Sequence, residues 1–458
     1  MPATMHLNLF VHGRGHHEAA WRHSRASTAP LTDIAYYVDL ALIAESGKFD
    51  SVFFADHLAV GSEIAHAARG GLEPLTTLAA LAVATEHIGL IATASTSYTE
   101  PYNLARQFAS VDHISGGRAG WNIVTSWLQS AAANYGDQQL LGHDERYARA
   151  FEYLDVVTKL WDSWADDARI DDAAYGIYAD PARVRAVAHA GEHYRVAGPL
   201  NIPRPPQGYP LLVQAGSSPE GRRFAATHAE AVFTAHLEKA TAVEFARDLR
   251  ARAVEAGRSP ESIRVLPGLS PAIGGTEHEA QRLWQELNEL TVPEVGLAHL
   301  SARFGGVDLS HLDLDERLSA DDLPDPRTVQ AAQSRAELIL RLVRRERPTL
   351  RSLLHTLAGA RGHHITAGTP EQIADVIADW FHVGAADGFN IMPPVLPSGL
   401  TDFVAEVVPL LQQKGLFRTD YSASTLRGLY GLPRPANRLF DEPDAAGSEP
   451  LFSGSGSA

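Results

Sequence analysis

An α/β fold, an eight-stranded parallel (β/α)8 barrel carrying two insertions, is what this sequence predicts. Three observations point there. Short apolar runs ending in polar or glycine-rich punctuation alternate with amphipathic stretches along most of the 458 residues, the pattern of strands buried on both faces with helices between them. Eight such runs occur, which suits a closed barrel better than an open sheet. The first five runs each end in polar residues, as expected where barrel strands present their C-terminal ends to a pocket above an apolar interior.

The first run, residues 6–12, ends in His12, and the second, 51–57, in Ala55-Asp56-His57. A helical pattern over 32–46 joins them. The third, 88–96, follows a helix over 74–85 and closes on Thr93-Ala94-Ser95-Thr96; the fourth, 118–126, follows a helix over 104–114 and closes on Trp121-Asn122-Ile123-Val124-Thr125-Ser126. His143-Asp144-Glu145-Arg146-Tyr147 then opens a long helix running to 161. His143 and Tyr147 lie four apart, so they share one helix face and can reach one ligand, although an ordinary exposed first turn has the same spacing. The fifth run, 211–218, passes through Gln214-Ala215-Gly216-Ser217-Ser218 into Pro219-Glu220-Gly221. This reads as strand, tight turn, serine N-cap and proline at the first helical position. Unpaired N–H groups and the positive end of the helix dipole there favour a phosphate, and a serine cap without ligand is the alternative. A helix over 221–228 leads to the sixth run, 231–236. Helices over 240–256 and 371–383 accompany the seventh, 263–274, and the eighth, 388–394.

Residues 162–210 and 276–369 exceed what a barrel connection needs and are read as insertions at the C-terminal face. The second is expected to be helical over 326–345, mobile at 361–364 and partly over the barrel mouth. A single domain is expected to span 1–432. The Pro-, Gly- and Ser-rich segment 433–458 reads as a loose tail. No internal repeat recurs at a fixed period.

The net charge of −16 is spread along the chain, which argues against nucleic acid and against an anionic membrane surface. With no apolar run of 18 residues and no signal-peptide pattern, a cytoplasmic protein is expected. The absence of cysteine removes disulfides, thiolate metal sites and cysteine nucleophiles. Histidine is abundant, with 21 residues and a cluster at His12, His16, His17 and His23, but no His-Glu-x-x-His spacing occurs and no metal is expected. Nor is there a dinucleotide fingerprint, a Walker phosphate loop or a Gly-x-Ser-x-Gly elbow.

Several segments carry a family resemblance. They are Lys48-Phe49-Asp50 running into Phe53-Phe54-Ala55-Asp56-His57, then Thr93-Ala94-Ser95-Thr96-Ser97-Tyr98 and Pro101-Tyr102-Asn103-Leu104-Ala105-Arg106. The most specific is Asp112-His113-Ile114-Ser115-Gly116-Gly117-Arg118-Ala119-Gly120-Trp121-Asn122-Ile123-Val124-Thr125-Ser126. Together with 144–147, 159–164, 214–218, 384–389 and 407–421, they make nearly the whole chain resemble the nitrilotriacetate monooxygenase family of bacterial-luciferase-like flavin monooxygenases. The resemblance implies a TIM barrel that receives reduced FMN (FMNH2) from a separate NAD(P)H:flavin reductase and activates O2 on it. The substrate would be a small organic molecule of the sulfone, amine or polycarboxylate, or alkane class, and the assembly a homodimer or homotetramer. Its flavin contacts carry over to Asp56, Thr93, His143, Tyr147, Ser217 and Ser218. From position alone, His12 and His57 are expected to hydrogen-bond the activated oxygen or act as acid or base, with Asn122 near the isoalloxazine. One feature departs from barrel habit: phosphate is often held after strands seven and eight, whereas the serine turn follows the fifth. A flavin- or deazaflavin-dependent dehydrogenase and a metal-dependent hydrolase on the same barrel are the alternatives.

Overall fold

A computed structural model describes residues 4–126, 128–136, 139–325 and 333–440. Eight parallel strands follow one another around a ring in chain order. They are β1 (His6–Val11), β2 (Ser51–Phe54), β3 (Gly89–Ser95), β4 (Ala119–Val124), β5 (Leu211–Gln214), β6 (Ala231–Thr234), β7 (Arg264–Ile273) and β8 (Gly388–Ile391). The ring closes where β8 pairs with β1, from His6 opposite Gly388 to Leu9 opposite Ile391. All eight expected strands are present, so the serine turn does follow the fifth.

The pleat divides each strand into two sets of side chains. Leu7, Leu9, Val52, Leu90 and Trp121 face outward into the core shared with the helices. Phe10, Phe53, Ile91, Val213 and Phe233 face inward and fill the barrel. Burial of each such side chain stabilises the fold by roughly 1.5–3 kcal/mol. The N-terminal end of the barrel is floored by the segment 425–432, whose Leu426 and Tyr430 are fully buried against the interior. Tyr430 donates to Asn8 Oδ1 at 2.9 Å and stacks on His6 at 4.4 Å. Gly89 is required there, since a Cβ would come within 2.4 Å of the Leu426 side chain.

Outside the ring lie α1 (Ile34–Ser46), α2 (Pro74–Ala84), α3 (Pro101–Ile114), α4 (His143–Trp161), α5 (Pro219–His228), α6 (Lys239–Glu255) and α7 (Pro370–His382). The end of α2 is tied to β4 by the buried Arg118. Its guanidinium donates to the carbonyls of Ala82, Thr85, Ile88 and Ser115 and to Thr85 Oγ1, at 2.8–2.9 Å. These include orphan carbonyls of a helix end, so every donor is satisfied without a carboxylate.

The first insertion carries two small antiparallel hairpins, Arg169–Asp172 with Ile177–Ala179 and His189–Ala190 with Arg195–Val196. Residues 433–440, within the expected tail, lie against it. Arg204 donates to the Pro435 carbonyl at 2.9 Å, Asn437 to the Trp164 carbonyl at 2.9 Å, and Arg438 to Thr158 Oγ1 at 2.6 Å. The remainder of the tail, 441–458, lies outside the described residues.

The second insertion is helical: Glu277–Glu289, Pro293–Arg303, Gln333–Glu346 and Leu350–Ala360. Leu300, Phe304, Ile339, Val343 and Leu353 give it a small apolar core of its own. The helix expected over 326–345 appears as Gln333–Glu346, and 326–332 fall outside the described residues. The stretch expected to be mobile, 361–364, is instead held in place. His363 is buried, stacks on Phe233 with ring centroids 4.8 Å apart, and receives a hydrogen bond from Arg335 at 3.0 Å. Its partners are remote in sequence, so local polarity misled. His364 then opens a strand, His364–Gly368, that pairs in parallel with the far half of β7 outside the ring.

Candidate active site

The polar ends of the strands meet above the barrel in a cavity of about 560 Å³. His57 reaches it from the end of β2, Thr125 from the end of β4, and Ser217 and Ser218 from the turn between β5 and α5. His143 and Tyr147 enter from the first two turns of α4, on the shared face that their spacing requires. The helical insertion supplies the remaining wall, including His299, Arg303, Arg335 and Arg361.

The turn between β5 and α5 is tightly built. A Cβ at Gly216 or Gly221 would lie 2.8–2.9 Å from the Tyr147 hydroxyl, so the two glycines let turn, helix and phenol come together. Ser218 caps α5, accepting from Gly221 N–H at 3.1 Å, and its Oγ lies 3.3 Å from His143 Nε2. His143 is oriented from its other side, where Nδ1 lies 3.2 Å from Asp144 and 3.6 Å from Glu220. The Ser217 hydroxyl and the backbone N–H groups of Ser217, Ser218 and Glu220 have no hydrogen-bond partner among the described residues. Four donors at the positive end of a helix dipole form a cradle for an anion. His143, Asp144 and Glu220 also offer ligand atoms within 4.8 Å of one another, an arrangement common among surface acids.

His12 sits at the end of β1, its ring 5.6 Å from that of His57. It lines an adjoining cavity that shares Arg69, His299, Arg303 and Arg361 with the first. Its Nε2 accepts from Arg69 at 2.7 Å and from Arg361, so the ring proton resides on Nδ1. Burial, followed by the charge of Arg361, holds its pKa well below the usual histidine value and keeps the ring neutral.

Asn122 and Thr93 lie lower, where Asn122 Nδ2 donates to Thr93 Oγ1 at 2.8 Å. Asn122 Oδ1 is buried and has no hydrogen-bond partner among the described residues, an acceptor left for something else. Asp56 follows the pleat away from this cavity: alternation past β2 turns Ala55 and His57 inward and Asp56 out. It lines, with Thr93, a larger cavity of about 980 Å³ bordered by α2 and α3. Its carboxylate accepts from His57 N–H at 2.8 Å, and burial raises its pKa.

Thus the structure gathers His57, His143, Tyr147, Ser217 and Ser218, places His12 beside them, sets Thr93 and Asn122 beneath, and leaves Asp56 aside. Sequence reasoning missed the arginines. Arg69, on the loop after β2, could have been suspected from its position; Arg303, Arg335 and Arg361 carry no local signal because the packing of the insertion brings them in.

With this geometry in view, the comparisons are informative. Residues 11–387 match the family model for luciferase-like monooxygenases. The chain is 46% identical to N-acetyl-S-(2-succino)cysteine monooxygenase of Bacillus subtilis (strain 168), over 94% of this chain and 97% of that one. It is also 46% identical to nitrilotriacetate monooxygenase component A of Aminobacter aminovorans, over 95% and 98%. A riboflavin lyase structure solved with modified FMN and riboflavin matches with a TM-score of 0.84 at 32% identity, covering 97% of this chain and 99% of the other. The chain belongs to the luciferase-like monooxygenase family and is the oxygenase component of a two-component, flavin-dependent monooxygenase.

Proposed function

We propose that the flavin is FMN, received in reduced form from a separate NAD(P)H:flavin reductase, and that its phosphate rests on the turn between β5 and α5. When bound, the reduced flavin supplies the electrons with which O2 is activated. Ser217, Ser218, His143 and Tyr147 hold the phosphate. Asn122 offers its free Oδ1 to a ring N–H, and Thr93 fixes the orientation of that amide. Asp56 steadies the backbone of His57, which together with His12 faces the reacting atoms. The insertion keeps bulk water from them. The substrate is a small organic molecule, and the protein acts in the cytoplasm as a homodimer or homotetramer.

The observation that carries this reading is the set of unpartnered donors at the turn, because only FMN, not riboflavin, brings the anion they fit. Each charge-assisted bond contributes about 1.5–3 kcal/mol. Each single variant, Ser217→Ala or Ser218→Ala, should therefore lose roughly ten- to a hundred-fold in affinity for reduced FMN, and the double variant roughly a hundred-fold or more, while riboflavin binding changes little. Anaerobic titration of both reduced flavins checks this, and an unchanged FMN-to-riboflavin ratio would sink the phosphate assignment.

A further inference from the structure

Three guanidinium groups reach the cavity from the insertion: Arg303 ends one helix, Arg335 lies in the next and Arg361 follows the last. Among the described residues none of the three is ion-paired with a carboxylate, in a chain holding 55 acidic residues. Two other buried arginines are neutralised, Arg204 by Asp162 at 3.0 Å and Arg427 by Glu230 at 2.5 Å, while Arg118 spends all its donors on carbonyls and a hydroxyl. Here the partners are neutral. Arg335 donates to the Arg361 carbonyl at 3.0 Å and to His363 Nε2 at 3.0 Å, Arg361 donates to His12 Nε2, and Arg303 makes no hydrogen bond among the described residues. Glu18 is the acid whose charge is felt at Arg303 and Arg361, yet its own carboxylate lies 3.4 Å from His299. Burial and mutual repulsion push Arg361 down to about 9 and Arg335 down to about 10.

Three cations brought together at one cavity with a single acid nearby repel one another, so an anion bound among them would be held by all three. In a chain of net charge −16, this cluster is also what turns the mouth of the barrel attractive to one. The flavin has a single phosphate, and on the reading above the β5–α5 turn takes it. One carboxylate satisfies one guanidinium fork. Three forks on three separate elements therefore match a molecule with several carboxylates better than one with a single charge.

We propose that Arg303, Arg335 and Arg361 form the substrate-recognition site, and that the substrate is a small molecule bearing at least two carboxylate groups. This inference rests on the phosphate assignment made under the proposed function. The FMN-loaded protein is titrated calorimetrically with succinate, 2,2′-thiodiacetate and tricarballylate, and with dimethyl succinate as the uncharged counterpart. At least one of the acids binds, and the ester binds tenfold or more weakly than succinate; this comparison needs no variant. Arg303→Met weakens acid binding about tenfold, with FMN affinity and the FMN-to-riboflavin ratio unchanged. Failure of all three acids to bind, or an ester that binds as well as its acid, overturns the inference and leaves the cofactor assignment standing. An Arg303→Met protein that loses its preference for FMN over riboflavin shows the arginines holding the cofactor phosphate, which overturns both.

Discussion

Asp112 illustrates how a single carboxylate ties stability to pH. It is fully buried and accepts from Ala119 N–H at 3.1 Å and from Gln207 Nε2 at 2.6 Å, yet burial outweighs these bonds and pushes its pKa up to about 6. A folded pKa above the unfolded value of about 3.8 means that the folded state binds the extra proton. Stability from this group is thus greatest below about pH 4 and falls as pH rises through 6, by about 3 kcal/mol at neutrality. Asp112→Asn should abolish that slope. Urea unfolding of both proteins at pH 4.5, 5.5 and 7 tests it, and parallel stability curves would refute the assignment. The same stretch shows what a motif can and cannot say. The segment from Asp112 to Ser126 is the most recognisable in the chain, but much of it is scaffold: Asp112 and Arg118 hold backbone groups, and Asn122 and Thr125 are the members nearest the cavity. His143, Tyr147, Ser217 and Ser218 were legible because helix periodicity and capping are local. Arg303, Arg335 and Arg361 were not, because their meeting depends on how distant helices pack.

Among the elements, the eight barrel strands were readable because each is a short apolar run buried on both faces, so burial and sequence say the same thing. The strand His364–Gly368 was missed for the opposite reason: most of it is only half-buried, and His-Ile-Thr-Ala-Gly lacks an apolar run. Within the ring, the pairing of β8 with β1 is the least forgiving. A Cβ on Gly388 would lie 1.9 Å from the His6 carbonyl oxygen and 2.6 Å from other backbone atoms of His6, none of which can rotate away. Gly388→Ala should therefore cost more than the ~1–3 kcal/mol of an ordinary overpacked core site. Chemical denaturation measures it; a loss below 1 kcal/mol would mean that the two strands can separate locally without harm to the barrel.

Taken as a whole, the molecule keeps several histidines neutral by burial. The pKa of His16 is lowered to about 3, of His17 to about 4, of His228 to about 4 and of His236 to about 3, desolvation being the largest cause for each. Their folded values lie below the unfolded value of about 6.5, so the stability they contribute is present above that pH and is lost as pH falls. Each contributes up to about 1.4 kcal/mol per pH unit, and four outweigh the opposite slope of Asp112. The urea midpoint should drop between pH 6.5 and 4.5, with unfolding accompanied by uptake of two or more protons. A flat profile would show these rings to be protonated in the folded state. The floor and the closing strand pair bear on a different matter, the order in which the chain is made. Residues 6–9 find their partners only at 388–391, and Leu426 and Tyr430 seal the base later still. At about 5–20 residues per second, a ribosome leaves β1 without its second neighbour for roughly 20–80 s. During that interval Phe10, Phe53 and Phe233 have no enclosed interior to enter. The barrel therefore cannot close until residues 388–391 have been made, and a product cut short before Leu426 is a barrel wetted from below.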